Sequence, residues 1–151
     1  MLATIGCDRV TKHFAETTLA GRPDRSYFSD TIRFELAENP GAFLSLGANL
    51  PAPARISLLT VGAGLGLAAV AIAAFRLRWR GMPFVGAMLF LAGGASNLLD
   101  RIMRGTVVDF MNLGVGTLRT GIFNVADVAL MIGVALMIFG VHRDLREGSH
   151  A

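Results

Sequence analysis

Two aspartates in this 151-residue chain occupy positions where a carboxylate is costly. Asp127 is the sole charged residue in the apolar run 120–142. An Asp at the centre of a membrane helix costs roughly 2.5–3.5 kcal/mol on insertion scales, so acids in such segments are rare and usually functional. Asn124 precedes Asp127 by three residues and shares its helical face. On the preceding apolar segment Asn97 and Arg101, four apart, also share a face, with Asp100 beside them. Asp109 follows Thr106, Val107 and Val108, whose β-branched side chains favour extended backbone. Both acids are therefore expected at the outer membrane boundary, on adjoining segments. Two carboxylates in close contact cannot both ionise cheaply and tend to share a proton. The ionised member can deprotonate water while the protonated one donates to a scissile carbonyl oxygen. The same residues also suit a plainer arrangement, with Asp127 paired to Arg101 or Arg119 and Asp109 in water. Proteins of ion transport or membrane assembly carry such pairs.

The elements that must position these residues are set by hydropathy. Hydrophobic residues make up 53% of the chain, mean hydropathy is +0.55, and 17% of residues are charged, against about 25% in an average soluble domain. Residues 56–75 and 82–99 carry no charge at all. Each stretch approaches the ~20 residues that cross a ~30 Å hydrocarbon core. A soluble enzyme, a disordered chain and a collagen-like chain are thereby excluded in favour of a polytopic membrane protein. The net charge of +3 comes with Arg residues that border apolar stretches, which fits membrane topology better than a nucleic-acid face. No nucleic-acid partner is expected. Cys7 is the single cysteine, and His13, His142 and His150 lie far apart. Neither a disulfide framework nor a metal centre is expected, and no cofactor.

Membrane helices are predicted over residues 54–75, 82–99 and 122–141. The first of these is rich in Gly and Ala, which predicts close packing inside a bundle. Arg76, Arg78 and Arg80 follow it, and Arg143 and Arg146 follow the last span. The positive-inside rule places both clusters in the cytoplasm, leaving residues 16–53 and 105–121 outside. Residues 1–15 are apolar but interrupted by Asp8, Arg9 and Lys12. They read either as an interfacial piece or as the remnant of a longer first helix, and the topology favours the remnant. Within residues 22–53, Ile32, Phe34 and Leu36 alternate with Thr31, Arg33 and Glu35, a strand pattern of period two. Asn39-Pro40-Gly41 then forms a turn. A small amphipathic β element on the outer surface follows from this pattern.

Five segments, taken in order, resemble the lipoprotein signal peptidase (signal peptidase II) family: DRVTK from Asp8 to Lys12, NPGAF from Asn39 to Phe43, NLLDR from Asn97 to Arg101, GTVVDF from Gly105 to Phe110, and FNVAD from Phe123 to Asp127. The resemblance covers essentially the whole chain. It implies an inner-membrane aspartyl peptidase of bacteria, a four-helix transmembrane bundle with the first helix truncated here and a small periplasmic β-cradle. Its substrates would be diacylglyceryl-modified prolipoproteins, cut immediately before the lipidated cysteine at a site facing the periplasm, with the C-terminus cytoplasmic. Asp109 and Asp127 would form the catalytic dyad. Asp8, Lys12, Asn39, Asn97, Arg101 and Asn124 would support the dyad or bind substrate. A non-catalytic protein that binds lipoprotein signal segments, and a small ion transporter built on the same Asp and Arg residues, remain as rivals.

The residues themselves suggest particular roles. Asn124 can hydrogen-bond substrate backbone or orient a carboxylate, and Asn97 can hold an extended peptide. Arg101 is expected to steady the loop that carries Asp109. Asp8 and Lys12 form either a structural ion pair or a substrate contact, while Asn39 and Gly41 shape a turn in the cradle wall. Asp100 reads as structural and Cys7 as a packing residue. The chain departs from the family at its short first helix and at Ser96, where Gly is usual before Asn97. These departures suggest a divergent branch, such as a second copy beside a housekeeping enzyme. A monomer is expected, since one chain holds both acids.

Overall fold

The computed structural model describes residues 1–41 and 51–148. Among these residues four helices and four short strands follow one another as α1 (Leu2–Leu19), β1 (Arg25–Tyr27), β2 (Ile32–Asn39), α2 (Ala52–Arg76), α3 (Gly81–Arg104), β3 (Val107–Val115), β4 (Leu118–Arg119) and α4 (Val125–Gly148). Among the described residues three helical stretches are long and apolar enough to cross a membrane, Ser57–Arg76, Gly81–Arg104 and Val125–Arg143. The protein is a multi-pass membrane protein, mainly helical, with a small antiparallel sheet, as its hydropathy predicted.

Element boundaries depart from the sequence expectation where tertiary contacts extend a helix. The first helix runs to Leu19 instead of ending at residue 15; the hydroxyls of Thr11 and Thr17 bond to carbonyls one turn back, so these polar residues do not break it. Helix α3 continues past residue 99 to Arg104, because Asp100 and Arg104 find partners on α1: Arg9 and Lys12 for the acid, Glu16 for the base. It stops at Gly105, whose left-handed backbone (φ +76°) is cheap only without a Cβ. Helix α4 begins at Val125, three residues later than expected, since Asn124 serves as its N-cap.

Close helix packing belongs to α3 and α4, and not to the Gly/Ala-rich α2. A Cβ on Gly86 would stand 2.7 Å from the Gly133 carbonyl oxygen, and one on Gly133 2.7 Å from that of Gly86. A Cβ on Gly93 would collide with the carbonyl oxygen of Ala126. Among the described residues, a Cβ on Gly62 or Gly66 of α2 would meet nothing within 4 Å, so small residues there create space beside the bundle. The expected packing of residues 54–75 is thus corrected: small residues permit close approach but do not enforce it.

The sheet has the order β1-β2-β3-β4, all antiparallel. Only half of it comes from the segment 22–53 to which the cradle was assigned. Residues 107–119 supply the other half, consistent with the extended conformation read from Val107 and Val108. Phe34, Leu36 and Met111 pack on a core of Ala15, Leu19 and Phe110, which fixes the sheet to α1. The register slips between Phe34 and Ala37. Phe34 faces Met111, yet Ala37 faces Asp109 and Asn39 faces Val107. An unslipped strand would set Leu36 against Asp109 and Glu38 against Val107. The bulge therefore brings an amide, and not another acid, beside Asp109.

Candidate active site

The expected site residues converge where α1, α3, β2, β3 and the start of α4 meet. Asp8, Lys12, Asn39, Asn97, Asp100, Asp109, Asn124 and Asp127 are all buried. Burying this many polar groups is tolerable only if they are hydrogen-bonded to one another, and they are.

Asn124 is at the centre. Its Nδ2 donates to Asp109 Oδ1 at 2.6 Å and to Asn97 Oδ1 at 3.2 Å. Its Oδ1 accepts the Asp127 backbone N–H at 2.9 Å, while Asp127 Oδ2 accepts the Asn124 backbone N–H at 3.2 Å. This reciprocal pair is a capping box that closes the first turn of α4. Asp127 thus stands at the third residue of its helix, near the end of the span where the sequence placed it. Asp127 Oδ1 accepts from Asn97 Nδ2 at 2.9 Å. Among the described residues neither Arg101 nor Arg119 pairs with Asp127; Arg119 reaches Asp30 instead.

Asp109 is held from the sheet side as well. Asn39 Nδ2 donates to Asp109 Oδ2 at 2.8 Å, and Asn39 Oδ1 accepts the Gly41 N–H at 2.9 Å. Asn39 is therefore more than a turn former, a correction to its sequence reading. Burial pushes the Asp109 carboxyl up to about 6; the amides of Asn39 and Asn124 oppose that rise and the nearby Asp127 adds to it. Arg101 departs from expectation too. Its Nη2 donates to the Gly41 carbonyl at 2.7 Å, so it braces the turn after Asn39 and not the segment carrying Asp109.

Behind Asn97 lies an ionic cluster. Lys12 Nζ donates to Asn97 Oδ1 at 2.8 Å, Asp100 Oδ2 at 2.7 Å and Asp8 Oδ2 at 2.7 Å, which uses all three of its protons. Arg9 pairs with the other oxygen of Asp100. The Asp8–Lys12 pair is thus an ion pair of α1 that also props Asn97. Two participants were missed by sequence reasoning. Arg9 carried no signal beyond its charge, and Ser96, visible only as a departure from the family pattern, donates to Asp8 Oδ2 at 2.7 Å. Cys7, expected to pack, is exposed.

A cavity of about 320 Å³ opens between α2, α3 and α4, with Asn97, Arg101 and Asp127 at one end and walls that include Leu58, Leu67, Phe90 and Leu130. Gly62, Gly66 and Gly94 line it as well, so the loose packing of α2 shapes this space. A larger cavity of about 800 Å³ lies among Phe75, Arg76, Trp79 and Phe84 and touches none of the candidate site residues. The smaller one is lined by three of the candidate site residues, Asn97, Arg101 and Asp127.

A buried acid network beside an apolar cleft lies among the apolar helices, and comparison with known proteins defines the class as peptidase. The family model for signal peptidase II matches residues 1–143, and the chain belongs to that family. It is 33% identical over 160 residues to a lipoprotein signal peptidase of Bifidobacterium longum subsp. infantis, covering 97% of this chain and 82% of that one. The lipoprotein signal peptidase of Sphingopyxis alaskensis is 37% identical over 135 residues, covering 87% and 76%. A solved structure of a bacterial membrane enzyme superposes with a TM-score of 0.82 at 25% identity, over 95% of this chain and 85% of that one.

Proposed function

We propose that this chain is an aspartic endopeptidase that removes signal peptides from diacylglyceryl-modified prolipoproteins, cutting before the lipidated cysteine. The observation that carries the reading is Asn124, whose side chain holds Asp109 while its backbone holds Asp127. Two acids bound to one residue, one of them lining an apolar cleft, suit shared-proton hydrolysis. Asp109, whose carboxyl is pushed up to about 6, is the member disposed to keep the proton. Asp127 takes a proton from water, whose oxygen attacks the scissile carbonyl carbon while Asp109 donates to the carbonyl oxygen. Collapse of the tetrahedral intermediate expels the cysteine nitrogen as the leaving amine, which takes up the proton Asp127 acquired, while a hydroxyl of the intermediate returns its proton to Asp109 as the new carbonyl forms. Asn97 and Asn124 keep both acids in place throughout.

Lateral access accounts for the substrate class. The diacylglycerol remains in lipid while the signal peptide lies in the cleft between α2, α3 and α4. The Arg76–Arg80 loop and the C-terminus are on the cytoplasmic side of a bacterial inner membrane, and the dyad and sheet face the periplasm. The whole chain acts as one domain and as a monomer, since both acids are on one chain.

A prolipoprotein mobility-shift assay with purified protein tests this. Wild type is expected to release the signal peptide, and Asp109→Asn or Asp127→Asn to lower the rate by about 10²–10⁴-fold. Undiminished cleavage in either variant would sink the dyad. Substrate binding without cleavage by wild type would favour a non-catalytic signal-segment binder, and ion flux without either would favour a transporter.

A further inference from the structure

The chain's departure at Ser96 has a structural role of its own. Ser96 is 1% exposed, and its hydroxyl donates to Asp8 Oδ2. Asp8 is itself fully buried, and its other oxygen, Oδ1, accepts the backbone N–H of Ala126 at 2.8 Å. Ala126 is the second residue of α4, where a helix has amide protons without intrahelical partners. The first turn of α4 therefore has two caps. Asn124 takes the Asp127 N–H from within the local sequence, and Asp8 takes the Ala126 N–H from α1, 118 residues away.

Asp8 Oδ2 has two donors, Lys12 and Ser96. Lys12 is divided among Asp8, Asp100 and Asn97, so it alone does not determine where the Asp8 carboxylate points. The Ser96 hydroxyl makes no other hydrogen bond among the described residues, and Ser96 belongs to the same helix as Asn97. Consecutive residues of α3 thus grip α4 at two places: Asn97 directly at Asp127 Oδ1, Ser96 through Asp8 at the Ala126 amide.

We infer that Ser96 is a positioning residue, which orients the Asp8 carboxylate so that it caps α4 and thereby sets the position of Asp127. The role rests on the peptidase reading only where activity is measured. The capping itself is independent of it.

The test uses the full chain in detergent, with Ser96→Ala, Ser96→Thr, Asp8→Asn and the double variant Asp8→Asn/Ser96→Ala. Hydrogen exchange at the Ala126 amide should quicken roughly tenfold in Ser96→Ala. The kcat for prolipoprotein cleavage should fall by a similar factor while KM stays within about twofold. Ser96→Thr, which returns the hydroxyl, should restore both. On the Asp8→Asn background, Ser96→Ala should add nothing to the exchange rate, because the two residues act in series. Unchanged Ala126 exchange in Ser96→Ala overturns the inference, as does an effect that persists undiminished beside Asp8→Asn. If wild type cleaves no prolipoprotein, the peptidase reading fails, and the exchange cycle still decides the role of Ser96.

Discussion

The carboxamide of Asn124 donates to Asp109 at 2.6 Å, and this bond joins the first turn of α4 to strand β3. Because the same side chain also caps α4 through its oxygen, one residue sets the relative placement of the two acids. The two duties can be separated. Asn124→Ala removes both, costing about 1 kcal/mol of stability for the lost cap as well as activity. Asn124→Ser keeps an acceptor for the Asp127 N–H but has no reach to Asp109. Its melting temperature should stay near wild type while cleavage falls roughly tenfold or more. Melting curves and cleavage rates on the two variants distinguish the duties.

Asp109 makes stability depend on pH. Its folded-state carboxyl titrates at about 6, against an ordinary value of 3.8. A carboxyl raised in the folded state contributes stability that is complete below its unfolded value and lost as pH rises through its folded one. Wild type should therefore lose melting temperature as pH is raised from about 4 to about 7, and Asp109→Asn should show a shallower slope over that window. Parallel slopes in the two proteins would contradict the raised carboxyl.

Among the described residues Lys12 is the only cation in contact with Asp8, and it shares Asp100 with Arg9. Lys12→Met leaves buried negative charge uncompensated, which typically costs about 3–5 kcal/mol. The expected result is a large fall in thermal stability. Lys12→Met combined with Asp8→Asn should recover part of it, since the second change removes the stranded charge. Denaturation of the single and double variants measures the recovery.

Gly93 allows α3 to approach the α4 backbone at Ala126, one residue from Asp127. A methyl group there would strike the Ala126 carbonyl and Leu130. Gly93→Ala should destabilise by about 1–3 kcal/mol through overpacking and displace the start of α4. Gly66→Ala on α2, whose added Cβ meets nothing within 4 Å, is the matching control and should leave stability close to wild type. Thermal melts of the pair give the comparison.

Much of this was legible in the chain because a membrane makes certain residues conspicuous. Asp127 stood out as one charge in an apolar run, and Asn97, Arg101 and Asn124 by helical spacing from other polar residues. The three long apolar helices and the strand at Ile32–Leu36 were readable because hydropathy and alternation are local properties. Other features had no local signal. The slip between Phe34 and Ala37 that brings Asn39 to Asp109 depends on how two strands pair across some seventy residues of sequence. The contact of Arg101 with Gly41 depends on where the turn after β2 comes to rest. The Gly-rich composition of α2 pointed to tight packing, yet the close backbone contacts lie between α3 and α4, since glycine allows approach without choosing a partner.

The chain by itself determined that this is a multi-pass membrane protein and singled out most of the residues of its buried polar network, Arg9 and Ser96 apart, for charge placed in hydrocarbon is costly and therefore conspicuous. Only the tertiary structure decided how those residues are shared out. Asn124 serves both acids, Lys12 spends its three protons on Asp8, Asp100 and Asn97, and Asp8 caps a helix 118 residues away. Hydrogen bonds reach about 3 Å and are directional. Their partners are therefore settled by packing distance and angle, which no spacing along the sequence encodes.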